Sequence, residues 1–212
     1  MRQVYVVGSG TDVGKTYFSA AFCSAFSFSY LKLIQAGAPG DSKTVRDLAP
    51  QTRIETSLVS LQAAASPHIG RKLEGLDYKA LDLALPRIDK LLIEMAGGVL
   101  SPLDEESTVL DYIVKNPRPL IVVSRYYLGS INHTLLTLKA LEGLRILAVV
   151  MMGDGEYKDE VEGFIESKTI APLIRLDFYD KSRMHEAKDR LIAKLSSHVK
   201  ACFKNLDYTD AS

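Results

Sequence analysis

The sequence has few cysteines, no net charge and no long hydrophobic run, and each of these absences excludes a class of protein. Two cysteines, Cys23 and Cys202, are too few for a disulfide framework or a zinc site, so we interpret both as packing thiols. Because 26 basic residues balance 26 acidic ones, the charge does not favour nucleic-acid binding. Without a membrane-length run or a signal peptide, the chain is predicted to be cytoplasmic, with no membrane partner.

The composition is that of an ordinary globular protein. Of the 212 residues, 47% are hydrophobic and 25% are charged, which is enough apolar material for one sizeable core. No repeat or low-complexity linker marks a boundary, so we predict one domain over residues 1–204. Residues 205–212 have little apolar content and are expected to form a flexible tail.

The first functional signal lies near the N-terminus, where an apolar run leads into a glycine-rich turn and then a helical pattern. Gly14-Lys15-Thr16 is the end of a P-loop, with Gly8 one residue earlier than the usual spacing requires. Glycines in this turn let consecutive N–H groups face a phosphate. Lys15 is then expected to reach the β- and γ-phosphates, and the Thr16 hydroxyl to bind Mg²⁺. The alternative is an ordinary glycine-rich turn between a strand and a helix.

Apolar strand-like runs recur along the rest of the chain, and helical patterns fall between most of them. The runs cover residues 30–36, 90–96, 119–124, 145–152 and 171–176. A helix is predicted over residues 128–142, ending at Gly143, and a long C-terminal helix begins near Met184. This alternation predicts a single-domain α/β fold of the P-loop type, a mostly parallel sheet with helices on both faces. Ligands bind such sheets at the carboxyl ends of the strands.

Three polar residues near predicted strand ends could act on a phosphate. Glu94 follows an apolar run and precedes two glycines, so it either binds Mg²⁺ opposite Thr16 or is a solvated acid in a turn. Lys32 interrupts an apolar strand, so it either points to solvent from an edge strand or meets an anion such as a phosphate. Asp41 follows that strand in a polar turn, where the simplest interpretation is a helix N-cap.

Together these segments resemble the dethiobiotin synthetase family over nearly the whole chain. The P-loop of that family has the same expanded G-x5-GKT spacing, which here runs from Gly8 to Thr16. The other matches, in chain order, are LKLIQAG at 31–37, Asp41, SPH at 66–68, IEMAGG at 93–98 and LGSINH at 128–133. Because six motifs occur in the right order, the resemblance is specific.

The resemblance implies an ATP-dependent, ring-closing carboxylation. One amine of 7,8-diaminopelargonate reacts with CO₂ or bicarbonate to give a carbamate, ATP phosphorylates the carbamate, and the second amine closes the ring of dethiobiotin. By the same resemblance Lys15, Lys32 and Thr11 act at the transferred phosphoryl group, and Thr16, Asp41 and Glu94 hold Mg²⁺. The residues implied to contact ATP are Asp12, Val13, Gly14, Lys15, Thr16, Tyr17, Asp41, Glu94, Met95, Ala96, Gly97 and Gly153.

The resemblance also implies a homodimer, because in this family the substrate carboxylate lies at a helix N-terminus of the second subunit. The substrate-contacting residues that correspond here are Leu128, Gly129, Ser130, Ile131 and Asn132, with Ala36 from the first subunit. Free N–H groups and the helix dipole attract a carboxylate, and Gly129 leaves the backbone accessible. Without the resemblance, the same segment is interpreted as a simple turn that starts a helix, and His68 as a turn histidine.

The sequence departs from the family pattern at four positions. Ala36 stands where the family usually has serine or threonine, which removes a hydrogen bond worth about 0.5–1.5 kcal/mol. Leu33 replaces a proline, and Met95 replaces a glycine at a place where its side chain is expected to crowd the nucleotide. Gly153 replaces an asparagine that reads the nucleotide base, so CTP and GTP are alternatives to ATP.

Other functions share this fold class. A switch ATPase of the partition or cell-division type normally carries a second, signature lysine early in its loop, and residues 9–13 contain none. A second alternative is a degenerate homologue that binds nucleotide but no longer makes dethiobiotin, and Ala36 and Gly153 favour it. A cobyrinate-type amide ligase is usually a longer chain with a glutaminase domain.

Overall fold

The computed structural model describes residues 1–38 and 40–204, so the tail predicted at 205–212 lies outside the described residues. The strands are β1 Gln3–Gly8, β2 Ser29–Lys32, β3 Ile34–Ala36, β4 Val59–Leu61, β5 Leu91–Gly98, β6 Leu120–Arg125, β7 Ile146–Met152 and β8 Leu173–Leu176. The helices are α1 Lys15–Phe26, α2 Asp41–Leu48, α3 Pro67–Leu73, α4 Val109–Lys115, α5 Ser130–Ala140, α6 Lys158–Glu166 and α7 Met184–Phe203. Short 3-10 turns cover Ala80–Asp82 and Lys181–Arg183.

Six strands form one parallel sheet in the order β2-β5-β1-β6-β7-β8, with β1 in its interior. Alternate side chains of β1 point to opposite faces, so Val4 and Val6 pack in one apolar cluster while Tyr5 and Val7 pack in the other. Helices α1 and α7 contribute to the first cluster, and α4, α5 and α6 to the second. The predicted α/β fold, a parallel sheet covered on both faces, is therefore confirmed.

An aromatic cluster anchors the helix that follows the P-loop. The rings of Phe18, Phe22 and Phe26 succeed one another along α1, and the Phe22 ring lies 5.2 Å from that of Phe28. Phe28 in turn contacts Phe203 at the end of α7, at 6.3 Å. Because buried aromatic rings contribute much of the packing energy of a core, α1 is a rigid support for the residues at its start.

The strand predicted at 30–36 is two strands, because the chain leaves the main sheet at Leu33. The Leu33 N–H donates to the Glu94 carbonyl at 3.0 Å, and the Leu33 carbonyl accepts from Leu58 N–H at 3.1 Å. Beyond this point β3 pairs with β4, a strand that the sequence pattern did not indicate. A proline at 33 has no N–H and would remove the bond to Glu94. The switch leaves Lys32 beside Glu94 and turns Gln35 and Ala36 toward the cleft described below.

The remaining predicted elements have small differences at their ends. The helix predicted at 128–142 begins at Ser130 and ends at Ala140, while Gly143 adopts a φ of +84° in the following turn. The long C-terminal helix is confirmed as Met184–Phe203. Both cysteines are buried free thiols, as predicted. Within the described ranges, no helix combines the length and apolar character needed to cross a membrane.

Candidate active site

The turn between β1 and α1 depends on glycine at two positions. A Cβ on Gly8 would lie 2.8 Å from Lys15 Nζ and 2.7 Å from the Gly10 carbonyl oxygen, which is too close for any side chain. Gly14 caps α1 with a φ of +97°, and a Cβ there would lie 2.8 Å from Met152 Cγ. Glycine alone tolerates the angle at Gly14 and the close contacts at both positions. The predicted order of strand, glycine-rich turn and helix is confirmed.

Lys15 is held inside this turn. Its side chain is buried, and Nζ donates to the Gly10 carbonyl at 2.7 Å. Burial, and then the Lys32 ammonium, lower the pKa of Lys15 to about 8, although the acids Glu94 and Asp41 act against this shift. Within residues 1–38 and 40–204, Lys15 forms no ion pair. A buried cation without a paired anion is the arrangement that a bound phosphate would complete.

Beside the turn, two carboxylates, a hydroxyl and an ammonium converge in what we call the acid cage: Thr16, Lys32, Asp41 and Glu94. Lys32 Nζ lies 2.6 Å from Asp41 Oδ2 and 2.9 Å from Glu94 Oε1. The Thr16 hydroxyl lies 2.9 Å from Asp41 Oδ1 and 3.0 Å from Glu94 Oε1. The four side chains therefore form one hydrogen-bonded group at the carboxyl end of the sheet.

The charges of the acid cage stabilise one another. Burial acts to lower the pKa of Lys32, but attraction to Glu94 and Asp41 outweighs it, so the pKa of Lys32 is raised. Burial acts to raise the pKa of Asp41, but the Lys32 ammonium and the Thr16 hydrogen bond outweigh it, so the pKa of Asp41 is lowered. Lys32 thus stays protonated and Asp41 stays ionised around neutral pH.

The structure decides between the alternatives for the three polar residues. Glu94 is fully buried within β5, so its interpretation as a solvated acid is wrong. Lys32 lies on an edge strand, as one interpretation required, yet its side chain is buried and the anions it meets are Asp41 and Glu94. The N-cap interpretation of Asp41 is also wrong. Gly40 is the N-cap, and Asp41 is the first helical residue, with its carboxylate turned to Thr16 and Lys32.

The oxygen atoms of Thr16, Asp41 and Glu94 fit a Mg²⁺ ion. Mg²⁺ takes hard oxygen ligands, usually one or two carboxylates together with phosphate and water. Here one oxygen atom of each carboxylate lies within 3.0 Å of the Thr16 hydroxyl oxygen.

A cleft of about 720 Å³ runs along the P-loop and the acid cage. The predicted residues that line it are Thr11, Asp12, Gly14, Lys15, Thr16, Tyr17, Lys32, Ala36, Asp41, Glu94, Ala96 and Gly97. Sequence reasoning assigned no role to other lining residues: Ile34, Gln35, Thr44, Ala64, Ala65, Ser66, Pro67, Ser101, Arg125 and Phe178. Four of them belonged to motifs noted in the sequence: Ile34 and Gln35 to LKLIQAG, and Ser66 and Pro67 to SPH.

One wall of the cleft lies on the far side of β1 from the acid cage. The Arg125 guanidinium stands 5.8 Å above the Phe178 ring and donates to the Asp12 carbonyl at 3.2 Å. The Tyr17 ring meets the Phe178 ring edge-on at 5.2 Å. Because β2 and β5 carry Lys32 and Glu94 while β6 and β8 lead to Arg125 and Phe178, the cleft has a charged end and an aromatic end.

Several predicted site residues lie outside the cleft. Val13 and Met95 are buried in the core. Because Glu94 faces α1, its neighbour Met95 faces the opposite apolar cluster, so the expectation that its side chain crowds the nucleotide is wrong. Gly153 does not line the cleft, but a Cβ there would lie 3.1 Å from the Phe178 ring, which does. The segment 128–132 does not contribute to the cleft of its own chain.

A parallel sheet with a glycine-rich turn after its interior strand, a buried lysine at that turn and a buried acid on the neighbouring strand define a P-loop NTPase. A family model described as an AAA domain matches residues 2–176. A Campylobacter jejuni protein named ATP-dependent dethiobiotin synthetase BioD is 49% identical over 85% of this chain and 90% of its own length. A Rhodopseudomonas palustris protein of the same name is 33% identical over 86% of this chain and 90% of its own. The chain belongs to the dethiobiotin synthetase family.

Solved structures resemble the chain at the level of the fold. The structure of pNOB8 ParA bound to nonspecific DNA has a TM-score of 0.55 and 13% identity, and covers 97% of both chains. Hydrogenase maturation factor HypB from Archaeoglobus fulgidus has a TM-score of 0.52 and 14% identity, and covers 92% of this chain and 90% of its own. At such low identity these likenesses support the P-loop fold and nothing about the reaction.

Proposed function

We propose that this chain catalyses the ATP-dependent closure of 7,8-diaminopelargonate with CO₂ to dethiobiotin. The observation that carries the proposal is the acid cage beside the buried Lys15, in a chain that belongs to this family. ATP is proposed as the phosphoryl donor because the relatives are named ATP-dependent. A cytoplasmic location is proposed with this reaction, because ATP is available there.

The proposed reaction has three balanced steps. An amine nitrogen forms a bond to CO₂ and releases a proton, which yields a carbamate. A carbamate oxygen then takes the γ-phosphoryl group from ATP, and ADP leaves. The second amine attacks the carbamate carbon, phosphate leaves with the bonding electrons, and the second proton is released as the ring closes.

In this proposal the two lysines act as fixed positive charges. Phosphoryl transfer needs alignment and neutralised charge more than covalent help from the protein. Lys15 and Lys32 lie at the charged end of the cleft, where they would flank the carbamate and the transferred group. Thr11 lines the same cleft at the exposed part of the turn. The raised pKa of Lys32 supports an electrostatic role, because a protonated lysine cannot accept a proton.

Thr16, Asp41 and Glu94 are the residues proposed to hold Mg²⁺. When bound, Mg²⁺ would neutralise charge on the β- and γ-phosphates. Changing Glu94→Gln removes one anionic ligand but keeps the shape of the side chain. We expect a higher Mg²⁺ concentration for half-maximal activity, measured by phosphate release over a Mg²⁺ titration. Glu106→Gln, at an exposed turn, is the matched control and is expected to titrate as the unaltered protein does. An unchanged Mg²⁺ requirement in Glu94→Gln would remove this ligand from the proposal.

A homodimer is proposed to complete the substrate site. Segment 128–132 lies outside the cleft of its own chain, and the Leu128 side chain is fully exposed. Gly129, the N-cap of α5, is exposed, so the start of this helix is presented at the surface. Backbone N–H groups at such a position attract a carboxylate, which the substrate carries. A second copy would bring this segment to the cleft opposite Ala36.

The decisive test is a phosphate-release assay with 7,8-diaminopelargonate, bicarbonate, Mg²⁺ and ATP. We expect phosphate release only when the diamine is present, together with dethiobiotin identified by mass spectrometry. Omission of bicarbonate and removal of dissolved CO₂ is the control, since the carbamate cannot then form. Hydrolysis that does not depend on the diamine would instead indicate a switch ATPase. Nucleotide binding without any turnover would indicate a degenerate homologue.

A further inference from the structure

The carboxylate of Glu94 is held on both of its oxygen atoms. Oε1 lies 2.9 Å from Lys32 Nζ and 3.0 Å from Thr16 Oγ1, inside the acid cage. Oε2 points the other way, 2.7 Å from Ser19 Oγ and 3.1 Å from the Tyr30 hydroxyl. The side chains of Ser19, Tyr30 and Glu94 are all fully buried, so no water competes for these bonds. The carboxylate orientation is therefore set by donors from α1 and β2.

The two hydroxyls that meet Oε2 have no part in the function proposed above. In the part of the chain that the structure describes, the Tyr30 hydroxyl makes a single hydrogen bond, to Glu94. The Ser19 hydroxyl has one proton and two acceptors within reach, Glu94 Oε2 and the Lys15 carbonyl oxygen at 2.8 Å. An ionised carboxylate is the stronger acceptor of the two. Both hydroxyls are thus placed to donate to Oε2 and leave Oε1 facing the cleft.

We propose that Tyr30 and Ser19 are positioning residues that lock the Glu94 carboxylate, so that Oε1 alone is presented to a bound metal ion. The proposal rests on the proposed function, because it assigns Glu94 as a metal ligand. Mg²⁺ demands near-ideal octahedral geometry, so one fixed oxygen suits it better than a carboxylate that rotates. Partners behind a metal ligand typically change metal affinity by about 10–100-fold when they are removed.

A structural role alone would give a different result. Two hydroxyls could serve only to satisfy a buried carboxylate, and their loss would then lower the free energy of unfolding without changing metal affinity. The two roles separate when metal binding and stability are measured on the same variants. Tyr30→Phe keeps the ring and its packing, and Ser19→Ala removes a single oxygen atom, so both variants are expected to fold.

The experiment measures Mn²⁺ binding by electron paramagnetic resonance in the presence of ATP, without diamine, so that no turnover occurs. The double variant Tyr30→Phe/Ser19→Ala is expected to bind Mn²⁺ about tenfold more weakly than the unaltered protein. Each single variant is expected to show a smaller loss. ATP binding without metal, measured by calorimetry, is expected to stay the same, because neither hydroxyl lines the cleft.

Tyr5→Phe is the matched control. Tyr5 is also fully buried, and its hydroxyl donates to the Asn116 carbonyl at 2.8 Å, on the opposite face of the sheet. This variant loses a buried tyrosine hydrogen bond but is expected to bind Mn²⁺ normally. A loss of affinity that is equal in Tyr5→Phe would come from general loosening and would overturn the proposal.

The remaining outcomes are also decisive. Unchanged Mn²⁺ affinity in the folded double variant overturns the positioning role, while the reaction itself stands or falls on the diamine assay. If the double variant does not fold, the affinity of Tyr30→Phe alone decides, with Tyr5→Phe for comparison. If the unaltered protein binds no Mn²⁺ with ATP, then both the positioning role and the metal assignment of Glu94 fail.

Discussion

Replacing Lys15 with alanine is expected to lower kcat by at least about 10²–10³-fold, the loss seen when a single charge-stabilising donor is removed from a transition state. Lys15 Nζ is anchored at the start of a rigid helix and is already bound to the Gly10 carbonyl at 2.7 Å, inside the turn that would enclose the phosphates. Alanine removes the charge that should face the β- and γ-phosphates. The rate is measured as diamine-dependent phosphate release at saturating ATP.

Lys15→Ala should lose activity without losing stability. Burial and the neighbouring Lys32 disfavour the charged form of Lys15, as its pKa of about 8 indicates, so the folded protein gains little from this ammonium. The midpoint of thermal unfolding is therefore expected to stay the same or to rise. Lys139→Ala, which removes an exposed cation paired with Glu142, is the control for both measurements. Turnover at the unaltered rate in Lys15→Ala would exclude this lysine from catalysis.

Replacing Lys32 with methionine is expected to cost both activity and stability. Removing one partner of a buried ion pair typically costs about 3–5 kcal/mol, because the other charge stays buried and uncompensated. Glu94, which is fully buried, should account for most of this loss, since the Asp41 side chain is 34% exposed and can be solvated in part. The free energy of unfolding is measured by urea denaturation, and activity by phosphate release.

Two further variants make the Lys32 result specific. The double variant Lys32→Met/Glu94→Gln is expected to recover most of the lost stability, because the buried charge disappears with its partner, but it should stay inactive. Lys43→Met removes an exposed ion pair with Asp47 and is expected to change stability by about 1 kcal/mol or less. If Lys32→Met unfolds at the same urea concentration as the unaltered protein, the acid cage does not stabilise the fold in the way described.

The two lysines differ in whether an acid of the protein neutralises their charge. Lys32 is neutralised by acids that belong to the protein, so its pKa is raised and its charge is part of the fold. Lys15 has a lowered pKa, and within the described residues it forms no ion pair with an acid. Perturbed pKa values in a cleft are typical of functional sites. The electrostatic cost at Lys15 is what a bound phosphate would relieve.

Local features of the sequence were sufficient for the P-loop and for the fold class. Gly8, Gly14, Lys15 and Thr16 lie within one turn, and their roles follow from the backbone angles and contacts of neighbouring residues. Strands and helices that alternate admit few arrangements besides a parallel sheet covered on both faces. The resemblance to one family, which rested on six short motifs in order, is borne out by relatives that match most of the chain.

Contacts between distant segments were not accessible from the pattern. The division of the strand at 30–36 depends on bonds from Leu33 to Glu94 and Leu58, and residues far apart in the sequence leave no periodic signal. Met95 was expected near the nucleotide because it lies in a motif, yet the alternation of side chains in β5 directs it to the core. Arg125 and Phe178 carried no signal, because their meeting depends on the ends of two different strands.

The sequence by itself determined that a phosphate-binding turn follows the first strand of a parallel α/β sheet, since glycine angles and hydrophobic periodicity act between near neighbours. Only the tertiary structure decided that Lys32 is paired with both Asp41 and Glu94, and that Ser19 and Tyr30 stand behind Glu94. The physical reason is that β2 and β5 become neighbours when the sheet assembles, and burial at their junction then requires every charge and hydroxyl to find a partner.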